Sequence, residues 1–321
     1  MFDTVALGEL LIDFTPRGVG EQGSPVFEAN PGGAPCNVLA ALRRLGKSAA
    51  FIGKVGDDMF GRWLAETLRQ LGIDAGGLIT SEEYFTTLAF VKLDEAGNRE
   101  FSFSRKNSAD VMLRPEEVDE NLVRSGRIFH CGTLSFTHPS SRAAVLKGLE
   151  TAKQAGVCIS VDPNLREPLW KDLADARAAM RQALGYADVI KISDYELEFL
   201  YGEKDVVKAS RLLLEEFSPK ILFSTCGKEG AYLFKGDFVL HHPCFNVKTI
   251  DTTGAGDAFC GAALSRLLDA GLDFASLDEA ACAALLRYAS AAASLATAKR
   301  GAIPAMPTPT EIEALLAAEA C

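Results

Sequence analysis

The nine residues Asp251-Thr252-Thr253-Gly254-Ala255-Gly256-Asp257-Ala258-Phe259 set the strongest limit on what this chain can become. Phe245 to Ile250 before them reads as a strand-like run, and Cys260 to Leu268 after them reads as helix. Gly254, Ala255 and Gly256 therefore fall at or just before a helix N-terminus. There the first backbone N–H groups lack intrahelical partners and the helix dipole favours negative charge. With so little side chain in the way, a phosphate can approach those N–H groups. An acid inside such a nest repels a resting phosphate. Asp257 thus reads as a base that takes a proton from the attacking group as a phosphoryl group arrives.

The rest of the chain alternates. Thr4 to Ile12 reads as a first strand ending at Asp13, and short apolar runs recur at Ala49–Ile52, Arg127–Cys131, Val157–Val161, Val189–Ile192 and Ile221–Ser224. Helix-patterned segments lie between most of them, at Cys36–Leu45, Phe60–Leu71, Ser140–Ala155, Ala174–Leu184, Asp194–Phe199 and Val206–Phe217. This spacing predicts βαβ units and an α/β fold with a mainly parallel sheet. Phe14 to Asn30 and Thr86 to Arg105 break the rhythm, the second as an antiparallel hairpin around the turn Asp94–Asn98. The two segments read either as a small β-lid over the carboxyl ends of the strands, where open α/β sheets bind ligands, or as excursions without function. Near the end, Thr310-Glu311-Ile312-Glu313 reads as a capping box opening a last helix. The expected organisation is a single domain over residues 1–321, with lid segments at about 14–30 and 84–107.

Charge and cysteines narrow the function classes. A formal net charge of -10 argues against nucleic acid and anionic membrane as partners, while leaving room for a small anionic ligand in a local positive pocket. The eight cysteines form no C-x-x-C pair and mostly sit in apolar runs, so buried free thiols are expected and zinc is not. The four histidines show no metal-ligand spacing. No basic-then-apolar leader and no 18-residue apolar run occurs, and the expected location is cytoplasmic. There is no Walker loop, and Gly254-Ala255-Gly256 lacks the third glycine of a dinucleotide fingerprint.

Five more loops at strand ends carry chemistry-bearing residues. Gly32 and Gly33, ahead of a helical run, permit close backbone approach to a ligand, and Asn37 on its first turn offers both donor and acceptor. A tight loop with a capping Asn explains the same residues. Asp13 is either a carboxylate for sugar hydroxyls or an exposed strand-end acid. In Asp162-Pro163-Asn164-Leu165-Arg166, Asn164 and Arg166 offer a neutral and a cationic group to a substrate, or belong to an ordinary polar loop. Lys191 to Glu196 opens a helix, where Glu196 is either a cap partner or the holder of a magnesium-bound water. Thr225, Gly227 and Gly230 follow the next strand with the glycine spacing of a nucleotide loop, which turn chemistry explains equally well.

Taken together, DTTGAGDAF and PGGAPCNVLAALRRLG resemble the carboxyl-terminal and amino-terminal signatures of the PfkB-type, or ribokinase-like, carbohydrate kinases, in the expected order over almost the whole chain. GELLIDF, REFSFSRKNSAD, DPNLREPLW and KISDYELEFL look most like the fructokinase branch. The resemblance implies a three-layer α/β/α fold with a β-lid, and ATP-dependent phosphorylation of a sugar hydroxyl, fructose above ribose, 2-keto-3-deoxygluconate or a nucleoside. A sugar- or nucleotide-binding protein without activity is the reading from another class. The resemblance also implies Asp257 as catalytic base, with an anion hole at Gly254, Ala255 and Gly256. Substrate would meet Asp13, Gly32, Gly33, Asn37, Arg105, Asn164 and Arg166. ATP would meet Lys191, Glu196, Thr225, Gly227, Gly230, Gly254 and Gly256, with Mg²⁺ held through water by Glu196. Asp251, Thr253, Ala296 and Gly301 match positions that hold K⁺ in some members. Ser193 replaces the Asn of the family's N-x-x-E motif. An exposed lid also suggests a homodimer through that surface. The helix N-terminus predicts an Asp257 pKa held low.

Overall fold

Alternation of side chains along the strands sorts the molecule into layers. Residues 1–93 and 99–319 are described by a computed structural model, and the expected turn Asp94–Asn98 lies outside them. In chain order the described strands are β1 (Phe2–Leu7), β2 (Leu11–Val19), β3 (Pro25–Gly32), β4 (Ala49–Gly56), β5 (Asp74–Ser81), β6 (Leu88–Leu93) and β7 (Arg99–Ser104). They continue with β8 (Gly126–Cys131), β9 (Cys158–Val161), β10 (Val189–Ser193), β11 (Ile221–Thr225), β12 (Ala231–Lys235) and β13 (Phe238–His242). Nine of them form one sheet in the order β13-β12-β11-β10-β9-β8-β1-β4-β5, parallel from β5 to β11. Successive strand residues face opposite sides. Val5 and Leu7 pack with the helices Pro139–Ala155 and Leu173–Leu184, whereas Ala6 packs with Ala34–Arg44, Ala255–Asp269 and Glu279–Thr297. Both faces are covered, and the result is the three-layer α/β/α arrangement that continuous apolar strands imply.

The lid is a separate four-stranded sheet, β3-β2-β6-β7, so the segments that broke the βαβ rhythm do join each other. Its inner surface is aromatic: Phe14 stacks on Phe90 at 4.9 Å and meets Phe60 of the body edge-on at 5.8 Å.

Three expectations are corrected. Thr4 to Ile12 is not one strand: β1 ends at Leu7, and β2 starts at Leu11 in the lid. Leu10, Leu11 and Ile12 are apolar because they are buried at the joint between lid and body. Asp13 therefore projects from the lid, paired with Asn30 across β3. Phe245 to Ile250 forms no strand. Its N–H groups turn to the helix Glu279–Thr297, Phe245 to Ser294 Oγ at 3.3 Å and Ile250 to the Thr297 carbonyl at 2.8 Å. The last capping box sits two residues earlier than expected. Thr308 and Glu311 bond reciprocally because Pro309, which has no N–H to lose, takes the first helical position.

The helix Glu279–Thr297 is long and apolar enough to cross a membrane by length and composition, but half of it is buried in the body. The seven described cysteines are free, and all but Cys244 are buried, in keeping with a thiol role in packing alone.

Candidate active site

Two helices pack closely because Gly261 lacks a side chain. A Cβ there would lie 2.6 Å from Ala41 Cβ and 3.0 Å from the Val38 carbonyl. This contact locks Ala255–Asp269 against Ala34–Arg44 and brings their N-termini to one cavity. Both helices are capped by glycine, Gly33 at φ 119° and Gly254 at φ 77°, so neither cap residue puts a side chain of its own between the first-turn amides and the cavity. Asn37 Nδ2 donates to Asp257 Oδ2 at 2.8 Å, and Asn37 Oδ1 is buried without a partner. A buried amide oxygen without a donor is a place for a ligand hydroxyl.

Asp257 is buried, and its carboxyl is pushed up to about 6. Burial is the main cause and the Asp162 charge adds to it, while Asn37, Lys191 and Arg166 pull the other way. The expectation of a lowered pKa from the helix end is thereby corrected, because desolvation outweighs the dipole. At neutral pH the group remains mostly ionised and close to the value a base needs.

The cavity measures about 800 Å³ and lies across the carboxyl ends of β1, β9 and β10, under the lid. Among the predicted residues, Asp13, Gly33, Asn37, Asn164, Arg166, Lys191, Glu196, Asp251, Thr253, Gly254, Gly256, Asp257 and Gly301 line it. Gly32 lies behind Asp13: a Cβ on Gly32 would fall 2.2 Å from Asp13 Oδ2, so the carboxylate occupies the space a side chain would take. Asn164 adopts φ 51°, and Arg166 Nη1 donates to the Leu165 carbonyl at 3.0 Å.

Arg105 is placed differently from its expected role. It is 6% exposed and lines no part of the cavity, because its guanidinium pairs with Asp110 at 2.7 Å and donates to Thr137 Oγ1 and the Leu134 carbonyl. Thr87 and Ser108 hydroxyls complete the Asp110 shell. The group ties the end of β7 to the body. Arg105→Met leaves the Asp110 carboxylate without its counter-charge and should cost about 3–5 kcal/mol in urea unfolding. A loss below about 1 kcal/mol would mean that the hydroxyls alone satisfy Asp110.

Where β10 meets the helix Ala255–Asp269, Lys191 Nζ lies 3.0 Å from Asp162 and would lie 3.1 Å from a Cβ on Gly256. Glu196 takes the capping role: it accepts from Ser193 N and Oγ and from Leu165 N at 2.7–2.8 Å. It still lines the cavity. A carboxylate so occupied can reach a metal only through water, which fits a magnesium ion that arrives on phosphates and keeps most of its hydration. No group of three His, Cys, Asp or Glu that could cage a metal occurs among the described residues.

Thr225 ends β11, and Gly227 and Gly230 follow it in a turn outside that cavity. The turn closes through the Cys226 N–H to the Gly230 carbonyl at 2.8 Å. Gly230, at φ 99°, presses so close to the His242 carbonyl that a Cβ would lie 2.1 Å away. Asp251 joins its own loop to the tail, accepting from Thr253 N and Oγ1 and from Gly301 N at 3.1 Å. Ala296 is fully buried in the neighbouring helix, and Ala255 N–H turns to the Thr252 carbonyl at 3.3 Å. The first-turn amides left for a ligand are those of Gly256 and Asp257.

Two buried acids at the site have no role that the sequence alone discloses. Asp162 stands there only as the start of its loop, and Glu9 only as one letter of GELLIDF. An acid between apolar residues at a strand's end is the available signal for both.

Comparison with known proteins gives one consistent result. The pfkB family carbohydrate kinase pattern matches residues 1–309. "Probable fructokinase-3" of Arabidopsis thaliana is 46% identical over 314 residues, 97% of this chain and 90% of the relative. The crystal structure of fructokinase with bound ATP from Xylella fastidiosa superposes with a TM-score of 0.91 at 30% identity and covers 100% of both chains. A fructokinase double mutant from Vibrio cholerae O395, in fructose, ADP and potassium ion bound form, gives 0.87 at 32% identity over 98% of each chain.

Proposed function

The chain belongs to the pfkB family of carbohydrate kinases, and we propose that within it this protein is a fructokinase that makes fructose 6-phosphate from fructose and ATP. The observation that carries the reading is the Asn37–Asp257 pair at 2.8 Å, set where two glycine-capped helix N-termini face one cavity. The sugar lies between the lid carboxylate Asp13 and the Gly33–Asn37 turn, with Arg166 beside it. Asp257 accepts the proton of the attacking hydroxyl, whose oxygen forms the new bond to the γ-phosphorus as the bond to ADP breaks. The amides of Gly256 and Asp257 and the Lys191 ammonium face the phosphoryl oxygens. Mg²⁺ carried on ATP would neutralise part of the phosphate charge, and Glu196 would hold one of its waters. Asp251, Thr253 and Gly301, drawn into one closed loop, support a K⁺ site whose ligands are mainly carbonyls.

Initial rates with ATP and Mg²⁺ against fructose, ribose, 2-keto-3-deoxygluconate and a nucleoside, with and without K⁺, test the reading. Fructose should give the highest kcat/KM, and K⁺ should raise it. A tenfold preference for another acceptor overturns the substrate, and no ADP release with any acceptor overturns the activity. The exposed Val19, Val26 and Phe27 on the lid strands also support a homodimer through the lid. Light scattering should give twice the chain mass.

A further inference from the structure

Glu9 stands in the link between β1 and β2, where the chain leaves the body for the lid, and nothing in the reaction described above uses it. Its residue is 3% exposed, yet it lines the sugar cavity. The Ala34 N–H donates to Glu9 Oε1 at 2.8 Å. That donor belongs to the first turn of the helix Ala34–Arg44, whose cap residue, Gly33, has no side chain to offer. An acceptor is normally supplied by a Ser, Thr, Asp or Asn at the cap itself. Here it comes from 25 residues earlier. Glu9 also touches the turn with its backbone: a Cβ on Gly33 would lie 2.3 Å from the Glu9 carbonyl oxygen. A burial this complete is costly for a carboxylate and pushes its pKa up to about 7, with the Arg105 charge opposing and the Asp110 charge reinforcing the rise.

We propose that Glu9 is a positioning residue for the sugar, gripping the Gly33–Ala34 turn from the lid joint so that Gly33 and Asn37 are set before the ligand arrives. Two observations converge on this role. The bond satisfies a helix end that faces the sugar cavity, and the Glu9 link leads directly into Leu11 and Asp13, which pair with Gly32 and Asn30 on β3. A single side chain thus joins the start of the lid to the loop that the lid closes upon. The proposal rests on the reading of this cavity as the sugar site.

Glu9→Ala should raise KM for fructose about tenfold, the usual penalty for losing a bond to a charged group. The kcat should change less than threefold, and KM for ATP less than twofold. Glu9→Gln, whose amide oxygen can take the same N–H, should return KM for fructose to within threefold of native. An unchanged fructose KM in Glu9→Ala overturns the proposal, and so does an equal effect on ATP. Hydrogen exchange without any sugar supplies a readout that does not depend on the substrate's identity. Peptides covering residues 32–38 should exchange faster in Glu9→Ala, or in Glu9→Asp if the alanine variant does not fold, with the other helices unaffected. Unchanged exchange in that segment overturns the proposal even if fructose proves to be the wrong sugar. Failure of the native protein to phosphorylate fructose, with faster exchange still seen, overturns only the substrate.

Discussion

Asp257→Asn should lower kcat by about 10³-fold, within the range that a positioned general base contributes. The variant should fold, because an asparagine side chain here still accepts the Asn37 amide through its oxygen and fits the same first turn of the helix. It should also be at least as stable as the native protein at pH 8. The folded-state carboxyl is pushed up to about 6 from an ordinary value of 3.8, mainly by burial. Between those values the folded protein holds a proton that the unfolded chain has lost, so ionisation costs stability as pH rises from about 4 to about 6. Asparagine never ionises and escapes that cost. The same shift sets the acid side of the rate profile. In the native protein kcat/KM should fall as pH drops through about 6, because the base becomes protonated. The residual activity of the variant should lack that limb. A variant that keeps its kcat would remove Asp257 from the proton transfer. A variant that fails to fold would mark the carboxylate as structural.

Much of the site is legible in sequence because it is local. Glycine and alanine ahead of a helical run disclose the Gly254–Asp257 nest, and the apolar runs of β8, β9, β10 and β11 disclose their places in a doubly covered sheet. What cannot be read is set by distant neighbours. Apolar residues flank Gly8-Glu9 on both sides within Thr4–Ile12, so the stretch reads as one strand, and the approach of Pro35 to Gly8, where a Cβ would meet its Cγ at 2.6 Å, marks the joint between sheet and lid. The family resemblance sets Arg105 at a substrate-facing position, but Asp110, five residues on, folds back to take it. The pKa of Asp257 departs from expectation for the same reason. A helix end is visible in sequence, whereas the burial and the Asp162 charge that outweigh it come from β9 and from packing.

Lys191→Met separates catalysis from packing at the phosphate end. The ammonium is buried beside Asp162, with side-chain exposures of 10% and 3%, and faces Glu196 and Asp257 as well. Burial alone would push its pKa down, but the attraction of these three acids more than offsets that and holds it above its ordinary value, so the group stays charged. Neither Asp162 oxygen has a well-formed hydrogen bond, which leaves the ammonium as its compensation. Methionine of similar length should therefore cost about 3–5 kcal/mol, the usual result of stranding one partner of a buried pair. It should also lower kcat about 10²- to 10³-fold, as for removal of one donor that faces developing charge. Since Lys191 pulls the Asp257 carboxyl down, its loss should move the acid limb of kcat/KM to higher pH. Adding Asp162→Asn to the variant then decides between the two roles. The second change removes the stranded charge, so the unfolding midpoint should recover. It also removes a charge that raises Asp257, so the acid limb should return towards its native position. The kcat should not recover, because no cation has been restored beside Gly256. If the double variant regains both stability and kcat, Lys191 serves only to neutralise Asp162, and the charge on the transferred phosphoryl group is borne by the helix amides and the metal.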